Sequence, residues 1–164
     1  LSICFLDGRQ AIDRVWHLGL FYKLWQRIDD TSLIAFMDMY RNMTSCVKNR
    51  GFLSEWFPIR QGTRQGGKSS PHFYLTFIND LILEIEESGL GICIFNNQIS
   101  SPTVADDMIL VAFSKHALDN MLEICYRYSC KWRFEYNASK CGIIVFNESR
   151  QCGTERQWKP QWAT

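Results

Sequence analysis

Two adjacent aspartates inside an apolar stretch are the residues of this sequence best suited to chemistry. Asp106 and Asp107 follow Val104-Ala105 and precede a run of apolar residues. On a regular strand their side chains would point to opposite faces, whereas the tip of a tight hairpin presents both near one edge. Carboxylates in apolar surroundings are costly unless a positive charge pairs with them. A divalent ion such as Mg²⁺, which prefers oxygen ligands, supplies that charge.

A third carboxylate has the same setting. Asp7 ends the apolar run Ser2 to Leu6, which predicts a buried strand that leads into a turn at Asp7-Gly8. If the two strands are neighbours, three carboxylates converge on one edge of a sheet. Two alternatives remain: solvated turns at both places, or a hydrolase in which Asp106 and Asp107 act as a general acid/base pair.

A basic, glycine-rich segment from Arg60 to Lys68 precedes the clearest helix of the sequence. Ser69-Ser70-Pro71 predicts the start of this helix, and Gly89 predicts its end. Backbone amides at a helix N-terminus, together with basic side chains, favour phosphate binding. A plain solvated loop explains the same residues without any ligand.

The remaining pattern predicts a single α+β domain over residues 1–146, an antiparallel sheet with helices on one side, followed by a polar tail over 147–164. Helices are expected over 13–28, over 31–43 with Asp30 or Thr31 as cap, and from Ser114 to about 131. Hairpins are expected over 45–59, turning at 50–51, and over 92–98, turning at 96–97. Strands are expected over 108–113, 132–136 and 141–146.

Composition constrains the partners only weakly. With 18 basic and 17 acidic residues the net charge is +1, which gives no support for a nucleic-acid partner but leaves room for a local basic stripe.

Seven cysteines without a CxxC pair predict buried free thiols in a reducing, intracellular compartment. No apolar run approaches the roughly 20 residues that span a bilayer. The start at Leu1, inside a strand-like run, predicts that the natural N-terminus lies upstream.

Four short motifs, in order, resemble those of the reverse transcriptases of non-LTR (LINE-type) retrotransposons. They are Phe5-Leu6-Asp7 with Ala11-Ile12-Asp13-Arg14-Val15-Trp16-His17 (motif A), Gly62-Thr63-Arg64-Gln65-Gly66 with Ser70-Pro71 and Ile78-Asn79-Asp80-Leu81 (motif B), Val104-Ala105-Asp106-Asp107 (motif C), and Trp132, Asn137, Ser139-Lys140 and Phe146 (motif D). Each motif alone is weak, but the ordered set covers residues 3–146. The resemblance implies a polymerase palm with part of the fingers, and a fragment without the start of the fingers or the thumb.

The resemblance also implies the site and its partners: an RNA template, a DNA primer and deoxynucleoside triphosphates, with two Mg²⁺ or Mn²⁺ ions. Its catalytic residues would be Asp7, Asp106, Asp107 and Lys140, with the three aspartates as metal ligands. Its nucleotide- and template-binding residues would be Gly8, Ile12, Arg64, Gln65 and Gly66. Four positions depart from the family pattern: Ile12 and Val104, where aromatic residues are usual, and the pair Gly67-Lys68. Ile12, Lys68 and the expected truncation favour the alternative of a catalytically inactive retrotransposon remnant, whereas the intact aspartates argue against it.

Overall fold

The structure is a computed structural model that describes residues 1–64 and 66–146. The predicted tail over 147–164 lies outside the described residues. The elements in chain order are β1 (Ser2–Asp7), α1 (His17–Trp25), α2 (Asp30–Tyr40), β2 (Thr44–Ser45), β3 (Lys48–Asn49), β4 (Phe52–Leu53), β5 (Phe57–Pro58), α3 (Ser70–Glu87), β6 (Ile92–Ile94), β7 (Asn97–Ile99), β8 (Thr103–Val104), β9 (Asp107–Ala112), α4 (Lys115–Trp132) and β10 (Gly142–Val145). The described residues divide into two compact units, one of 1–11 with 78–146 and one of 12–77.

A four-stranded antiparallel sheet forms the centre of the first unit. Its strand order is β10-β1-β9-β8, so the strand nearest the start of the chain lies between the last two long strands. Cys4 and Leu6 of β1 pair with Leu110 and Met108 of β9, and all four side chains are buried. Helix α4 packs against β1 and β9. The predicted α+β fold with an antiparallel sheet is confirmed.

Helix α4 is encoded by its own residues. Ser114 is the N-cap, and its Oγ accepts a hydrogen bond from the Ala117 amide at 3.1 Å, as predicted. A buried stripe follows the helical repeat through Leu118, Met121, Leu122, Cys125, Tyr128, Ser129 and Trp132. Burying one leucine of such a stripe contributes about 1.5–3 kcal/mol.

The predicted strand over 132–136 is wrong. Trp132 completes the buried stripe of α4 and is its last residue, and the left-handed Arg133 (φ 61°) ends the helix. After it, Tyr136 takes part in an isolated antiparallel bridge with Gly8 and belongs to no strand. The aromatic residues that suggested a strand therefore lie at the end of the helix and in the loop after it.

The first predicted helix of the second unit is also too long. Helix α1 begins at His17 rather than Asp13, because the preceding backbone bonds to another segment. The amide of Thr63 donates to the Ile12 carbonyl at 3.0 Å, and the Gly62 amide donates to the Val15 carbonyl at 2.8 Å. These carbonyls would otherwise serve the first turn of a longer helix.

The other elements match the predictions with small shifts. Helix α2 ends at Tyr40 and is capped by Asp29, which accepts from the Ser32 amide, instead of Asp30 or Thr31. The hairpin over 45–59 consists of two short pairs, β2 with β5 and β3 with β4, and turns at the left-handed Arg50-Gly51. The β6–β7 turn lies at 95–96, one residue earlier than predicted. None of the described helices combines the length and the hydropathy needed to cross a membrane.

Candidate active site

Asp7 and Asp107 are direct partners across the antiparallel pair β1–β9. Leu6 and Met108, one residue away on each strand, are also partners and are buried, and α4 packs against both strands. Because successive side chains of a strand alternate between faces, Asp7 and Asp107 both lie on the opposite face of the sheet. Two carboxylates separated by a hundred positions in sequence therefore meet at one end of the sheet.

The third aspartate lies in the turn that joins β8 to β9. Val104 pairs with Asp107, which leaves Ala105 and Asp106 as a two-residue hairpin turn. Ala105 adopts a left-handed conformation with φ 54°, an uncommon state for a residue with a Cβ atom. Of the two arrangements considered from the sequence, the turn of a tight hairpin holds Asp106, whereas Asp107 is already the first residue of β9.

The pair carries an excess of negative charge that one lysine partly offsets. Like charges directly opposite on an antiparallel pair are destabilising. Lys140 Nζ lies 3.4 Å from Asp7 Oδ1, with the lysine side chain 66% exposed and the aspartate side chain 23% exposed. Burial, and in addition the Asp7 carboxylate, raise the pKa of the neighbouring Cys141 thiol. The end of the sheet is therefore a negatively charged site with the exposed Lys140 side chain beside it.

A short turn anchored on β1 positions Lys140. The Asn137 amide donates to the Asp7 carbonyl at 2.8 Å, and the Lys140 amide donates to the Asn137 carbonyl at 2.9 Å. Ser139 Oγ donates to Asn137 Oδ1 at 2.7 Å and closes the same turn. The residue types of the predicted fourth motif thus build a turn that holds the lysine beside the first aspartate.

The donor chemistry of this site fits hard divalent cations. Within residues 1–64 and 66–146, no group of three or more His, Cys, Asp or Glu side chains is arranged to hold a metal ion. Mg²⁺, however, is usually bound by one or two carboxylates together with waters and substrate phosphates, so an all-protein cage is not required. Opposed carboxylates carry the negative charge that such an ion neutralises, and the contact with Lys140 offsets part of it.

Gly8 follows Asp7 at a crowded position. A Cβ atom built on Gly8 would lie 2.8 Å from the Ala11 Cβ, so a larger residue would shift the turn after β1. The Arg9 amide donates to the Glu135 carbonyl at 2.9 Å and is engaged within the protein. Backbone contacts to a substrate phosphate at this turn therefore remain a prediction.

The other predicted binding residues lie in the second unit. Ile12 is half-buried and accepts from the Thr63 amide, as described above. Arg64 and Gly66 are exposed, and Gly66 is left-handed with φ 77°. Gln65 lies outside the described residues. A cavity of about 430 Å³ within this unit is lined by Met39, Tyr40, Arg64, Gly66, Gly67, Lys68 and Ser69.

Two residues to which the sequence assigned no role contact this glycine-rich loop. His17 Nε2 lies 2.7 Å from the Gly62 carbonyl, and Tyr40 Oη accepts from the Arg64 amide at 3.4 Å. Both residues sit in apolar helical patterns, where a histidine or tyrosine normally indicates ordinary packing. No local spacing signals either contact, because the partners are 45 and 24 positions away.

Comparison with known proteins identifies the class. The profile of the family described as "Reverse transcriptase (RNA-dependent DNA polymerase)" matches residues 2–161, nearly the whole chain. The chain therefore belongs to the reverse transcriptase family. Among its relatives are the RNA-directed DNA polymerases of the mobile element jockey from Drosophila funebris and Drosophila melanogaster, 30% and 29% identical over 91% and 90% of this chain. The predicted resemblance to retrotransposon reverse transcriptases is confirmed.

These relatives are much longer than the chain, which spans only 17% and 16% of their length. A third relative is the probable RNA-directed DNA polymerase from transposon X-element of Drosophila melanogaster, 25% identical over 90% of the chain. The fold is similar to that of telomerase from Candida albicans (TM-score 0.68, 14% identity, 91% of this chain and 27% of that one). Telomerase from Candida tropicalis is similar as well, with a TM-score of 0.67 and 17% identity, over 91% of this chain and 31% of that one. These likenesses confirm the palm-like α+β fold.

Proposed function

We propose that this chain carries the polymerase active site of an RNA-directed DNA polymerase, which transfers deoxynucleotides from their triphosphates to the 3′-hydroxyl of a DNA primer on an RNA template. The observation that supports this proposal most directly is the register of β1 and β9, which sets Asp7 opposite Asp107 with Asp106 in the adjoining turn. Membership of the reverse transcriptase family supports it independently. Under this proposal, residues 1–146 are a palm with part of the fingers.

Asp7 and Asp106 would hold two Mg²⁺ or Mn²⁺ ions, with Asp107 as a neighbouring ligand. When bound, such ions supply the positive charge that activates the primer hydroxyl and stabilises the leaving pyrophosphate. The strands provide the rigidity that this task needs, because β1 and β9 are paired along six positions, from Ser2 with Ala112 to Asp7 with Asp107.

Lys140 has the position and the freedom to act on a phosphate. Its ammonium lies beside Asp7 but is 66% exposed, so it can turn from the carboxylate to a triphosphate bound at the same place. There it would stabilise the negative charge of the leaving group or donate a proton to it. Gly8 would allow the close approach of a phosphate to the backbone after β1.

The glycine-rich loop would contact the incoming nucleotide and the template through Arg64, Gln65 and Gly66. Arg64 carries a positive charge into solvent, and Gly66 has no neighbour within 4 Å of a built Cβ, so the backbone there is open to a ligand. Ile12 would face the sugar. Because isoleucine is narrower than the aromatic residue usual in the family, we expect weaker discrimination against ribonucleotides.

The test uses the longest polypeptide that carries this chain, with the variants Asp7→Asn and Asp106→Ala and the control Asp119→Asn on α4. Primer extension on an RNA template with Mg²⁺ is measured with and without a chelator. We expect both site variants to lose at least about 100-fold in rate, the size of the loss when one preorganised electrostatic group is removed. The control should retain the parent rate.

A second measurement separates metal binding from activity. Mn²⁺ should raise the unfolding temperature of the parent and of Asp119→Asn, but not that of Asp106→Ala, because a ligand of the folded state alone stabilises it. Extension by Asp106→Ala at the parent rate would refute the proposal. A parent that binds Mn²⁺ but extends no primer would instead identify an inactive remnant, and chelator-resistant hydrolysis would identify an acid/base hydrolase.

A further inference from the structure

The glycine-rich loop is held by backbone hydrogen bonds and by contacts with the side chains of His17 and Tyr40. Residues 61–63 run antiparallel to the segment after β1, through the Trp16–Gln61 bridge and the hydrogen bonds to Ile12 and Val15 described above. Gly62 is left-handed with φ 88°, and a Cβ built on it would lie 2.5 Å from the Asp13 carbonyl oxygen. The backbone of the loop is therefore set tightly against this segment.

His17 adds a side-chain contact to the same place. Its Nε2 lies 2.7 Å from the Gly62 carbonyl. A carbonyl only accepts hydrogen bonds, so Nε2 must carry the proton and donate. His17 is the first residue of α1, and its ring packs edge-on against Tyr40 of α2, with centroids 4.9 Å apart and planes at 80°.

Tyr40 in turn contacts the next part of the loop, at Arg64. Its ring is buried among Phe21 and Phe73, and its Oη accepts from the Arg64 amide at 3.4 Å. The Arg64 carbonyl accepts from the Gly67 amide at 3.0 Å and from Ser70 Oγ. Both backbone groups of Arg64 are therefore bonded, while its side chain remains exposed.

We infer that His17 and Tyr40 are positioning residues that hold the backbone of 62–64 in the conformation that presents Arg64 and Gly66 to the incoming nucleotide. This inference rests on the proposed function of the loop. Both residues contact the backbone of the loop, through the Gly62 carbonyl and the Arg64 amide, so we expect the loss of either to act through the loop. Removing the His17 donor leaves the Gly62 carbonyl without its partner and frees the loop to populate other conformations.

The test compares His17→Phe, which keeps a ring against Tyr40 but removes the donor, with His17→Gln, whose side-chain amide restores a donor at about the same distance from the backbone. His116→Phe, an exposed position on α4, is the matched control. All are made in the longest polypeptide that carries this chain. Hydrogen exchange of the backbone amides in 60–68 is measured first, because it does not depend on activity.

We expect exchange in this segment to be about tenfold faster in His17→Phe, equivalent to about 1.4 kcal/mol of lost protection, and near the parent rate in His17→Gln and His116→Phe. In primer extension, His17→Phe should raise KM for the nucleotide about tenfold with a smaller change in kcat, and His17→Gln should restore it. A general loss of stability would speed exchange throughout the chain instead.

Unchanged exchange in 60–68 of His17→Phe would overturn the inference, whether or not the protein polymerises. Faster exchange with an unchanged KM would overturn the link from loop position to nucleotide binding. A parent that extends no primer refutes the proposed function alone, and the exchange measurement then still decides whether His17 holds the loop.

Discussion

Removing one charge of the Asp7–Asp107 pair should make the metal-free protein more stable. The substitution Asp107→Asn keeps the shape of the side chain and removes the negative charge directly opposite Asp7. Active sites commonly retain such unfavourable arrangements because the bound ligand compensates for them. In the absence of the ion, the repulsion is present without its compensation.

The magnitude follows from the cross-strand geometry. Directly opposite side chains on an antiparallel pair have Cβ atoms about 5 Å apart, and two unit charges at that distance in water repel each other by about 0.8 kcal/mol. Lys140, 3.4 Å from Asp7, offsets part of this repulsion. We therefore expect Asp107→Asn to gain about 0.5 kcal/mol, which for a domain of this size raises the unfolding temperature by about 1–2 °C.

The assay is thermal unfolding with a chelator at low salt, repeated at high salt and with Mg²⁺. The gain should disappear at about 1 M salt, where charges are screened beyond about 3 Å. Asp7→Asn should gain less than Asp107→Asn, because it also removes the partner of Lys140. With Mg²⁺ the parent should overtake the variant.

Asp119→Asn is the control for a change of aspartate charge elsewhere in the same unit. The reasoning is refuted if Asp107→Asn is no more stable than the parent at low salt. A gain that persists at about 1 M salt would equally contradict it, because its cause would then not be charge repulsion.

Three further predictions concern the rest of the structure. Lys140→Met should slow primer extension about 100-fold while leaving the unfolding temperature nearly unchanged, because the exposed lysine contributes little to stability but acts on the leaving phosphate. Gly62→Ala should lower the free energy of unfolding, measured by denaturant titration, by more than Gly51→Ala does. Both glycines are left-handed, but of the two only Gly62 would place its new Cβ atom against the backbone of another segment. Burial raises the pKa of the Cys4 and Cys125 thiols from 9.0 to about 12. We therefore expect the free energy of unfolding to fall as the pH rises from about 9 to about 12. Over that range the unfolded chain loses protons that the folded one keeps, so each thiol lowers the free energy of unfolding by about 1.4 kcal/mol per pH unit.

Each of these predictions has its own contradicting result. Primer extension by Lys140→Met at the parent rate would contradict the predicted role of Lys140. Lys140→Arg serves as the charge-conserving control. If Gly62→Ala and Gly51→Ala lower the free energy of unfolding equally, the left-handed conformation alone accounts for the loss and the contact at Gly62 does not contribute. For the thiols, the variant Cys4→Ala with Cys125→Ala should show a shallower decline of stability above pH 9, and an unchanged decline would contradict the assignment.

Local patterns predicted most elements of the fold. The stripe of α4, its Ser114 cap, the start of α3 at Ser-Pro and the Arg50-Gly51 turn each depend on residues within a few positions of one another. The strand that ends at Asp7 was predicted on the same basis. The errors occurred where distant residues compete for the backbone, as at 12–16, where hydrogen bonds to 62–63 replace the first turn of the predicted helix.

From the residues alone it could be predicted that carboxylates end one apolar strand and begin another, and that a glycine-rich basic loop precedes a helix, because strand, cap and turn preferences act within a few residues. The folded structure was needed to show that Asp7 lies opposite Asp107, that Lys140 lies beside Asp7, and that His17 contacts the Gly62 carbonyl. Strand register and side-chain contacts across 45 to 133 positions depend on how the entire core packs, and no local pattern carries that information.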